Sequence, residues 1–506
     1  MGFLKFHPSF SGKRDSGKNL KKVLALVLAF ACAFTMFAGA AFTDSADIKV
    51  DTEVVDTLVS LGVVNGYDDG SFKPNGTVTR AEMAKMIYVL RTGNSDASAY
   101  NDDKTSFTDI GSHWARGYIK YCQSLGIIAG KSNTKFVPNE KVSAQEAAKM
   151  LLVTLGYNAQ KAGLVGTGWA SKTNALADEN GLLEDVNTSF TSACPRQYAA
   201  QLIYNAIDAK TVVLRDGAYT DESALGIPNK TVGEKYMGLS KTEGVLVASG
   251  KTGINGQSTA KEDSLAVNTK IVSNHFAYTA DVTFTKVAKD YTALLGQAVK
   301  VLYKDGDKSK VYGVFATDDN NVLAGNSTDL EKKTATKVKF DGTEYDVAAT
   351  TLVTVNGVKK NVALADAADQ YKDTAATFSL VDNNDDDKYD VLTVFAPSVV
   401  KVTYAGSNSI TAGKSYKYAD ENIADGIKKD DWAVIVSGDF TSSGDSIISK
   451  ATVVSGKVTG VKTGSPDEIK IDGNWYKKST SVTTSPSVDD EVAAAVVGNY
   501  VYNIDT

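Results

Sequence analysis

The chain contains little of the material from which metal centres and redox sites are built. Its 506 residues include three cysteines and three histidines. It has no His-Glu-x-x-His helix, no Cys-x-x-Cys pair, no Gly-x-Ser-x-Gly turn and no phosphate-binding glycine loop. His275 is the only histidine after residue 210. A glycosidase-type carboxylate pair stays open because acidic residues are abundant, but nothing favours one. We therefore predict a protein that is not an enzyme and has no cofactor.

Long apolar runs are also scarce. The run Val23–Phe37 follows Lys21 and Lys22 and is about 15 residues long, whereas a membrane helix needs about 20. The small residues at 38–40 then provide the spacing that a signal peptidase accepts. We predict that residues 1–40 are a secretory signal and that no segment spans a membrane.

Cysteine use after the leader gives no support for a covalent anchor. Cys32 lacks the small-residue pattern of a lipoprotein site, and only Cys122 and Cys194 remain in the mature chain. We expect both to be small buried apolar side chains, although a bridge between them stays open. A secreted chain without a span or a lipid needs another means of staying at the cell.

Basic charge is in short supply. Lys and Arg total 54 against 60 Asp and Glu, which gives a net charge of −6. The leader holds six basic residues and one acid, so the mature chain carries about −11. Such a surface repels phosphate backbones, which argues against nucleic acid as a partner. The length predicts several domains, and 43% hydrophobic residues exclude wholesale disorder.

A repeated unit occupies residues 42–210. Copy one spans 42–95, copy two spans 105–158, and a more eroded copy three spans 159–210. Copies one and two match at one constant spacing along the chain in the following places: Leu61-Gly62-Val63 with Leu125-Gly126-Ile127, Phe72 with Phe136, Pro74 with Pro138, and Glu82 with Glu146. Each copy contains two amphipathic helical patterns, whose apolar stripes predict mutual packing as in other repeat arrays.

The second helix of copies one and two begins with a capping box. Thr79 and Glu82 have the required spacing in copy one, and Ser143 and Glu146 have it in copy two. Such a cap contributes about 1 kcal/mol by pairing free backbone donors. The cap explains these four residues without any functional role.

An arginine begins the second helix of copies one and three, where the helix does not need it, although Pro195 and Tyr198 have replaced the capping pair in copy three. Arg80 and Arg196 lie in the first turn and oppose the helix dipole by a few tenths of a kcal/mol. Either they are solvated surface residues, or they form an anion site with free amides of the helix start. Trp114 of copy two is likewise either ordinary core or an apolar plate for a sugar face.

These residues resemble the S-layer homology domain. The resemblance is carried by Gly66-Tyr67-Asp68-Asp69-Gly70-Ser71-Phe72-Lys73-Pro74, Thr79-Arg80-Ala81-Glu82, Phe107-Thr108-Asp109, His113-Trp114, Gly126-Ile127-Ile128-Ala129-Gly130, Phe136 and Pro138. The resemblance implies a three-pronged helical spindle that binds pyruvylated secondary polymers on peptidoglycan non-covalently. It also implies grooves between neighbouring copies, with the arginine of the four-residue motif among the ligand contacts.

The sequence departs from this pattern at several positions. Val50 stands where copy one should have Trp, Ala144 replaces the Arg in copy two, and copy three lacks a clear glycine loop. If a groove pairs the Arg of one copy with the Trp of the next, only Arg80 with Trp114 is complete. We predict the main site there. The full set of predicted polymer-binding residues is Arg80, Trp114, Arg196, Asp69 and Trp169.

From residue 211 onward the sequence changes to short alternating stretches typical of strands and turns. Val299–Tyr303 and Val311–Phe315 flank Asp305-Gly306, which predicts a hairpin. A short helical pattern runs from Ala363 to Tyr371. We predict a linker followed by all-β sandwich or barrel domains, with these limits: linker 211–240, β domains 241–325, 326–398 and 399–506.

One acidic loop has the alternate spacing of a calcium site. Asp382, Asn384, Asp386 and Asp390 offer side-chain oxygens at every second position, with Lys388 as the exception. The position that requires glycine holds an acid, and threonine stands where a bidentate glutamate would close the loop. A solvated acidic turn is the favoured interpretation, and calcium is the alternative.

Two hypotheses follow for the whole protein. The first is a surface-layer protein whose helical repeats bind a wall polysaccharide while the β domains self-associate into an outer array. The second is an extracellular enzyme or glycan-binding protein anchored by the same repeats. Both place the chain outside the cell, at the wall.

Overall fold

The computed structural model describes residues 42–250, 252–254, 259, 261, 263–269, 271–272, 275–276, 281–287, 289, 291–419, 421–436 and 446–506. The predicted signal, residues 1–40 with Cys32, lies outside this range. In the described part, helices come first and β-sheets follow. None of the described helices combines the length and the apolar character needed to cross a membrane.

Six helices form the first part of the chain, two in each repeated segment. They are α1 (Thr52–Ser60), α2 (Arg80–Thr92), α3 (Arg116–Ser124), α4 (Ala144–Leu155), α5 (Trp169–Glu179) and α6 (Arg196–Asp208). The predicted capping boxes at Thr79 and Ser143 are both present. The apolar stripes face inward, and Leu58, Ile87 and Leu151 are fully buried. One core joins all six helices.

A ring of backbone hydrogen bonds connects the three segments just before α2, α4 and α6. The N–H of Val78 donates to Cys194 O (3.1 Å), Cys194 N–H donates to Val142 O (2.8 Å), and Val142 N–H donates to Val78 O (3.0 Å). Each segment thus contacts both others in the same way. The starts of the three second helices are therefore held together around one point.

The two described cysteines are apart in the fold and unbridged. Cys122 lies in α3 and Cys194 lies in the ring, and both are buried as free thiols. Burial raises the pKa of each thiol to about 12. Each is therefore a small apolar packing group with little thiolate character.

The segment 211–240, expected to be a linker, is ordered and packs on the helices. It forms the hairpin β1 (Val212–Arg215) and β2 (Ala218–Asp221), followed by a π-helical turn at Gly233–Met237. Val232 and Met237 join the helical core. The helices are thereby connected to the first large sheet through packed residues.

The first large sheet is antiparallel. Its strands are β3 (Leu239–Ser249), β4 (Thr252–Gly253), β5 (Ser264–Asn268), β8 (Val282–Thr285), β9 (Ala298–Lys304) and β10 (Asp307–Ala316), and β6 (Ile271–Val272) with β7 (His275–Phe276) forms a separate small pair. The strand order is β10-β9-β3-β5-β8, with β4 beside β3. The predicted hairpin is confirmed, since β9 and β10 pair across Asp305-Gly306 and Gly306 has φ +72°.

The second large sheet has seven strands. They are β11 (Asn321–Asn326), β12 (Leu330–Thr334), β13 (Lys337–Phe340), β14 (Thr343–Val355), β15 (Val358–Lys360), β16 (Thr377–Asp382) and β17 (Lys388–Phe395). Strands β14 and β17 form a parallel pair. Leu352, Val381 and Val391 share a core with the first sheet. The predicted short helix is present as α7 (Leu364–Tyr371) and buries its alanines in a separate core of this sheet.

The C-terminal part forms two small sheets and a closed barrel. The small sheets contain β18 (Ser398–Lys401), β19 (Tyr404–Ala405), β20 (Ser409–Ala412), β21 (Lys414–Lys417), β22 (Asn422–Ile423), β23 (Trp432–Val436) and β24 (Ile447–Lys450). The barrel contains β25 (Thr452–Lys462), β26 (Glu468–Ile471), β27 (Asn474–Lys478), β28 (Glu491–Val497) and β29 (Tyr500–Asp505). Residues 399–506, treated as one β domain above, therefore contain two hydrophobic cores joined by a third contact cluster.

Candidate functional site

Arg196 lies at the start of α6 and is buried, with 9% of its surface exposed. Its guanidinium carbon lies 5.1 Å from the ring centres of both Tyr67 and Phe72. Its Nη2 donates to Asn65 O over 2.7 Å, while Nε is buried without a hydrogen-bond partner. The guanidinium is thus fixed against the copy-one loop with some donor capacity left.

A cavity of about 190 Å³ opens beside this guanidinium. The lining residues are Val63, Val64, Asn65, Gly66, Tyr67, Glu82, Lys85, Met86, Trp114 and Arg196. Trp114 is 56% exposed, and Lys85 Nζ lies 6.0 Å from the centre of its ring. We call this cavity groove A. It joins two cations, one carboxylate and an open aromatic face, which suits an anionic sugar.

Arg80 occupies the corresponding position at the start of α2 and is 4% exposed. Its Nη2 donates to Ala129 O (2.7 Å) and its Nε donates to Phe136 O (3.0 Å). The guanidinium lies over the ring of Phe136 at 4.5 Å. Burial lowers the pKa of Arg80, an effect that Glu146 opposes most strongly. An arginine nevertheless keeps its charge in this environment.

The surroundings of Arg80 reproduce groove A, displaced by one copy. Ala129 and Phe136 occupy the positions in copy two that Asn65 and Phe72, the contacts of Arg196, occupy in copy one. Lys149, the counterpart of Lys85, lies 5.2 Å from the ring of Trp169 and interacts electrostatically with Arg80. We call the region around Arg80, Lys149 and Trp169 groove B.

The structure does not form the predicted pair of Arg80 with Trp114. It places Trp114 with Arg196 in groove A, and the corresponding contacts associate Trp169 with Arg80 in groove B. In groove A the Arg therefore faces the Trp of the copy before it, counted around the circle of three copies, and the contacts of Lys149 indicate the same order in groove B. The ring makes copy three a neighbour of copy one, which a linear sequence comparison does not reveal.

By the same pairing, Val50 at the Trp position of copy one and Ala144 at the Arg position of copy two belong to one groove, the third. Both residues are buried, and neither offers a charge or an aromatic face. In this third groove Asn205 Nδ2 donates to Glu184 O (2.8 Å). This backbone carbonyl corresponds in copy three to the carbonyls of copies one and two that accept hydrogen bonds from the two arginines. The side-chain amide of Asn205 thus binds the backbone carbonyl that an arginine binds in each of the other two grooves. Two of the three grooves keep both the arginine and the tryptophan.

A shared aspartate motif positions the aromatic floor of grooves A and B. In copy two both carboxylate oxygens of Asp109 accept backbone N–H groups, from Phe136 (3.0 Å) and Val137 (2.8 Å). Asp44 binds Phe72 and Lys73 in the same way (both 2.8 Å). The Phe-Thr-Asp motif therefore fixes the turn that carries the phenylalanine.

Asp69, another predicted site residue, is exposed and is not among the residues that line groove A. Its Oδ1 accepts from the N–H (3.0 Å) and the hydroxyl (2.5 Å) of Ser71, and Lys73 lies 3.3 Å away. The hydrogen bonds from Ser71 lower the pKa of Asp69 to about 2. Its visible role is to shape the loop that carries Tyr67.

Sequence reasoning missed Tyr67, Glu82 and Lys85 as lining residues. Glu82 was assigned to the cap alone, and its Oε2 does accept from Thr79 N–H (2.7 Å). A signal for the lysine was available, because it recurs in copy two as Lys149, in register with the other matched positions of the repeat.

The calcium candidates use their oxygens within the loop. Asp382 accepts from the N–H of Asn384 (3.2 Å), Asn384 from that of Asp386 (3.2 Å), and Asp386 from that of Lys388 (3.0 Å). Asp382 and Asp390 are buried, whereas Asp386 is exposed. Within the described residues no three acidic, histidine or cysteine side chains are arranged to hold a metal.

We expect calcium titration of the chain to give the same heat for the parent and for Asp386→Asn. The reason is that Asp386 already caps the N–H of Lys388 and is exposed, unlike the buried Asp382 and Asp390. Isothermal titration calorimetry measures this directly. A binding heat that disappears in Asp386→Asn would instead establish the loop as a calcium site.

Comparison with known proteins supports copies one and two of the repeat. The family model of the S-layer homology domain matches residues 41–84 and 106–148. A cell surface protein of Thermoanaerobacter kivui is 30% identical over 206 residues, 40% of this chain and 26% of that protein. A surface layer protein of Brevibacillus choshinensis is 24% identical over 480 residues, 85% of this chain and 42% of that protein.

A third relative shares the N-terminal region. The S-layer protein sap of Bacillus anthracis is 32% identical over 115 residues, 23% of this chain and 14% of that protein. The chain thus spans less than half the length of each of these three relatives. These matches show that the chain carries S-layer homology domains in its N-terminal region and that it is similar to surface-layer and other cell surface proteins.

Proposed function

We propose that the helical region is a three-repeat spindle that anchors the chain to the cell wall. Its ligand is an anionic, pyruvylated secondary polysaccharide attached to peptidoglycan, held without a covalent bond. Grooves A and B supply the contacts, and the third groove supplies none. The β domains project from this anchor and self-associate into a surface array without catalysing a reaction.

The observation that carries this proposal is the cavity shared by Arg196 and Trp114. A buried guanidinium with spare donors suits the flat carboxylate of a pyruvyl group. The exposed face of Trp114 suits the apolar side of a sugar ring, and Lys85 adds a second positive charge.

Supporting evidence for the array comes from the relatives. Proteins named as surface layer proteins match most of this chain in one case and its N-terminal region in another. A protein of Acetivibrio thermocellus named as cellulosome-anchoring is 28% identical over 110 residues. The last match is consistent with an anchoring role for the repeats, whatever the remaining domains do.

Sedimentation with purified wall fragments tests the anchor. We expect the mature chain to pellet, and the double variant Trp114→Ala with Trp169→Ala to bind at least about 10-fold more weakly. Removing a central aromatic from a binding site commonly costs about 2 kcal/mol or more. Trp475→Ala in the barrel strand β27 is the matched control and should pellet like the parent. Chemical removal of pyruvate from the wall should weaken the parent as well.

Unchanged pelleting of the double variant would contradict the groove assignment. Equal binding to walls with and without pyruvate would contradict the nature of the anion. Reassembly of the purified chain into sheets, followed by electron microscopy, tests the array separately from the anchor.

A further inference from the structure

We propose that grooves A and B are unequal, and that an ion triad of Lys131, Glu140 and Glu146 makes groove B the weaker binder of anionic ligands. Groove A is then the principal wall-binding site of the chain. This inference rests on the proposed function, because it concerns how the same two grooves discriminate their ligand.

The triad lies beside Arg80. Lys131 Nζ is 2.7 Å from Glu140 Oε1 and 2.9 Å from Glu146 Oε1. Glu146 also accepts from the N–H of Ser143 (2.9 Å) as part of the helix cap. The lysine is therefore neutralised by two carboxylates and held across the front of the α4 cap.

Groove A has no counterpart of this triad. At the equivalent positions of copy one, Tyr67 replaces Lys131, Gly76 replaces Glu140, and only Glu82 is retained. The ring of Tyr67 lies 5.1 Å from the guanidinium of Arg196 and is 39% exposed. Groove A thus combines one carboxylate with an additional aromatic face, whereas groove B combines two carboxylates with a lysine that is ion-paired to both of them.

The electrostatic consequence follows from where the carboxylates lie. Glu146 and then Glu140 stabilise the charge of Arg80. Asp109 also contributes, but it is matched in copy one by Asp44 and does not distinguish the grooves. A ligand carboxylate that approaches Arg80 must therefore enter a space already populated by like charges. Such contacts are unfavourable and are screened less where the groups are partly buried. At Arg196 the incoming anion meets only Glu82 among the lining residues of groove A.

Titration calorimetry separates the two grooves. The full mature chain is titrated with soluble polysaccharide released from purified walls, and Trp114→Ala is compared with Trp169→Ala. We expect about one strong site per chain in the parent, a loss of at least about 10-fold in affinity for Trp114→Ala, and a change below about 3-fold for Trp169→Ala. Trp114 is exposed, so its removal leaves the fold in place.

Installing the residues of groove A in groove B supplies the converse test. In the Trp114→Ala background, the pair Lys131→Tyr and Glu140→Gly should raise the affinity for the polysaccharide by at least about 10-fold. In the parent background, the same pair should raise the number of strong sites per chain from one toward two. Asp103→Gly with Lys104→Tyr is a control of equal charge change at exposed positions and should do neither.

The outcomes are distinguishable. Two equally strong sites in the parent, or equal losses in the two tryptophan variants, would overturn the inequality while leaving the wall anchor intact. A parent chain that binds no polysaccharide at all would overturn both the inequality and the proposed function.

Discussion

Phe136→Ala is expected to lower the free energy of unfolding of the helical region by about 3–5 kcal/mol, the range for removing a buried phenylalanine. The ring is fully buried, packs 5.4 Å from Phe107 between ring centres, and forms the floor beneath Arg80. Its loss leaves a cavity and removes a face of the guanidinium site. Denaturant unfolding followed by the helical circular dichroism signal measures the change.

The neighbouring residue provides the matched control. Val137 is 37% exposed, so Val137→Ala removes little buried surface. We expect a change within about 0.5 kcal/mol, as for other surface substitutions. A loss below about 1 kcal/mol for Phe136→Ala would show that the ring is not part of the core of the helical region.

Glu53→Gln is expected to loosen the junction between the helices and the first large sheet. Glu53 Oε1 lies 2.5 Å from Lys300 Nζ of β9 and also accepts the hydroxyl of Tyr204. The side chains of Glu53 and Lys300 are 18% and 22% exposed. Breaking a fully buried pair costs about 3–5 kcal/mol, and this half-buried pair should cost part of that, about 1–3 kcal/mol, because Lys300 loses its partner but keeps some contact with water. Burial, followed by the charge of Glu53, raises the pKa of Tyr204.

Calorimetry of the chain tests this expectation. In the parent the helical region and the first sheet should unfold together, and in Glu53→Gln the helical transition should move to lower temperature and separate. Asp208→Asn is the control, because Asp208 pairs with Lys241 at the same junction but is 49% exposed. Exposed pairs contribute about 0–1 kcal/mol, so this variant should resemble the parent. Equal shifts in both variants would contradict the role assigned to Glu53.

Local sequence patterns predicted the local structures well. The capping boxes at Thr79 and Ser143, the hairpin at Asp305-Gly306 and the helix ending at Tyr371 all depend on residues close together in the chain. Their energies come from neighbouring backbone groups and side chains. Such features can be recognised without knowing how the segments pack.

Contacts between distant segments could not be predicted in the same way. The sequence pattern indicated a linker at 211–240, but Val232 and Met237 pack in the helical core. It also indicated one unit at 399–506, whereas the strand pairing forms small sheets and a separate closed barrel. These outcomes depend on which apolar surfaces meet, and that depends on the whole arrangement.

The sequence by itself determined the repeat, its helix caps and the residue types of an anion site, because these follow from spacing and side-chain chemistry. Only the tertiary structure decided which residues share a groove. The ring of Val78, Val142 and Cys194 places copy three beside copy one, so that Trp114 faces Arg196 instead of Arg80. The linear order of the copies does not show that copy three contacts copy one, and this contact determines which residues lie next to each arginine.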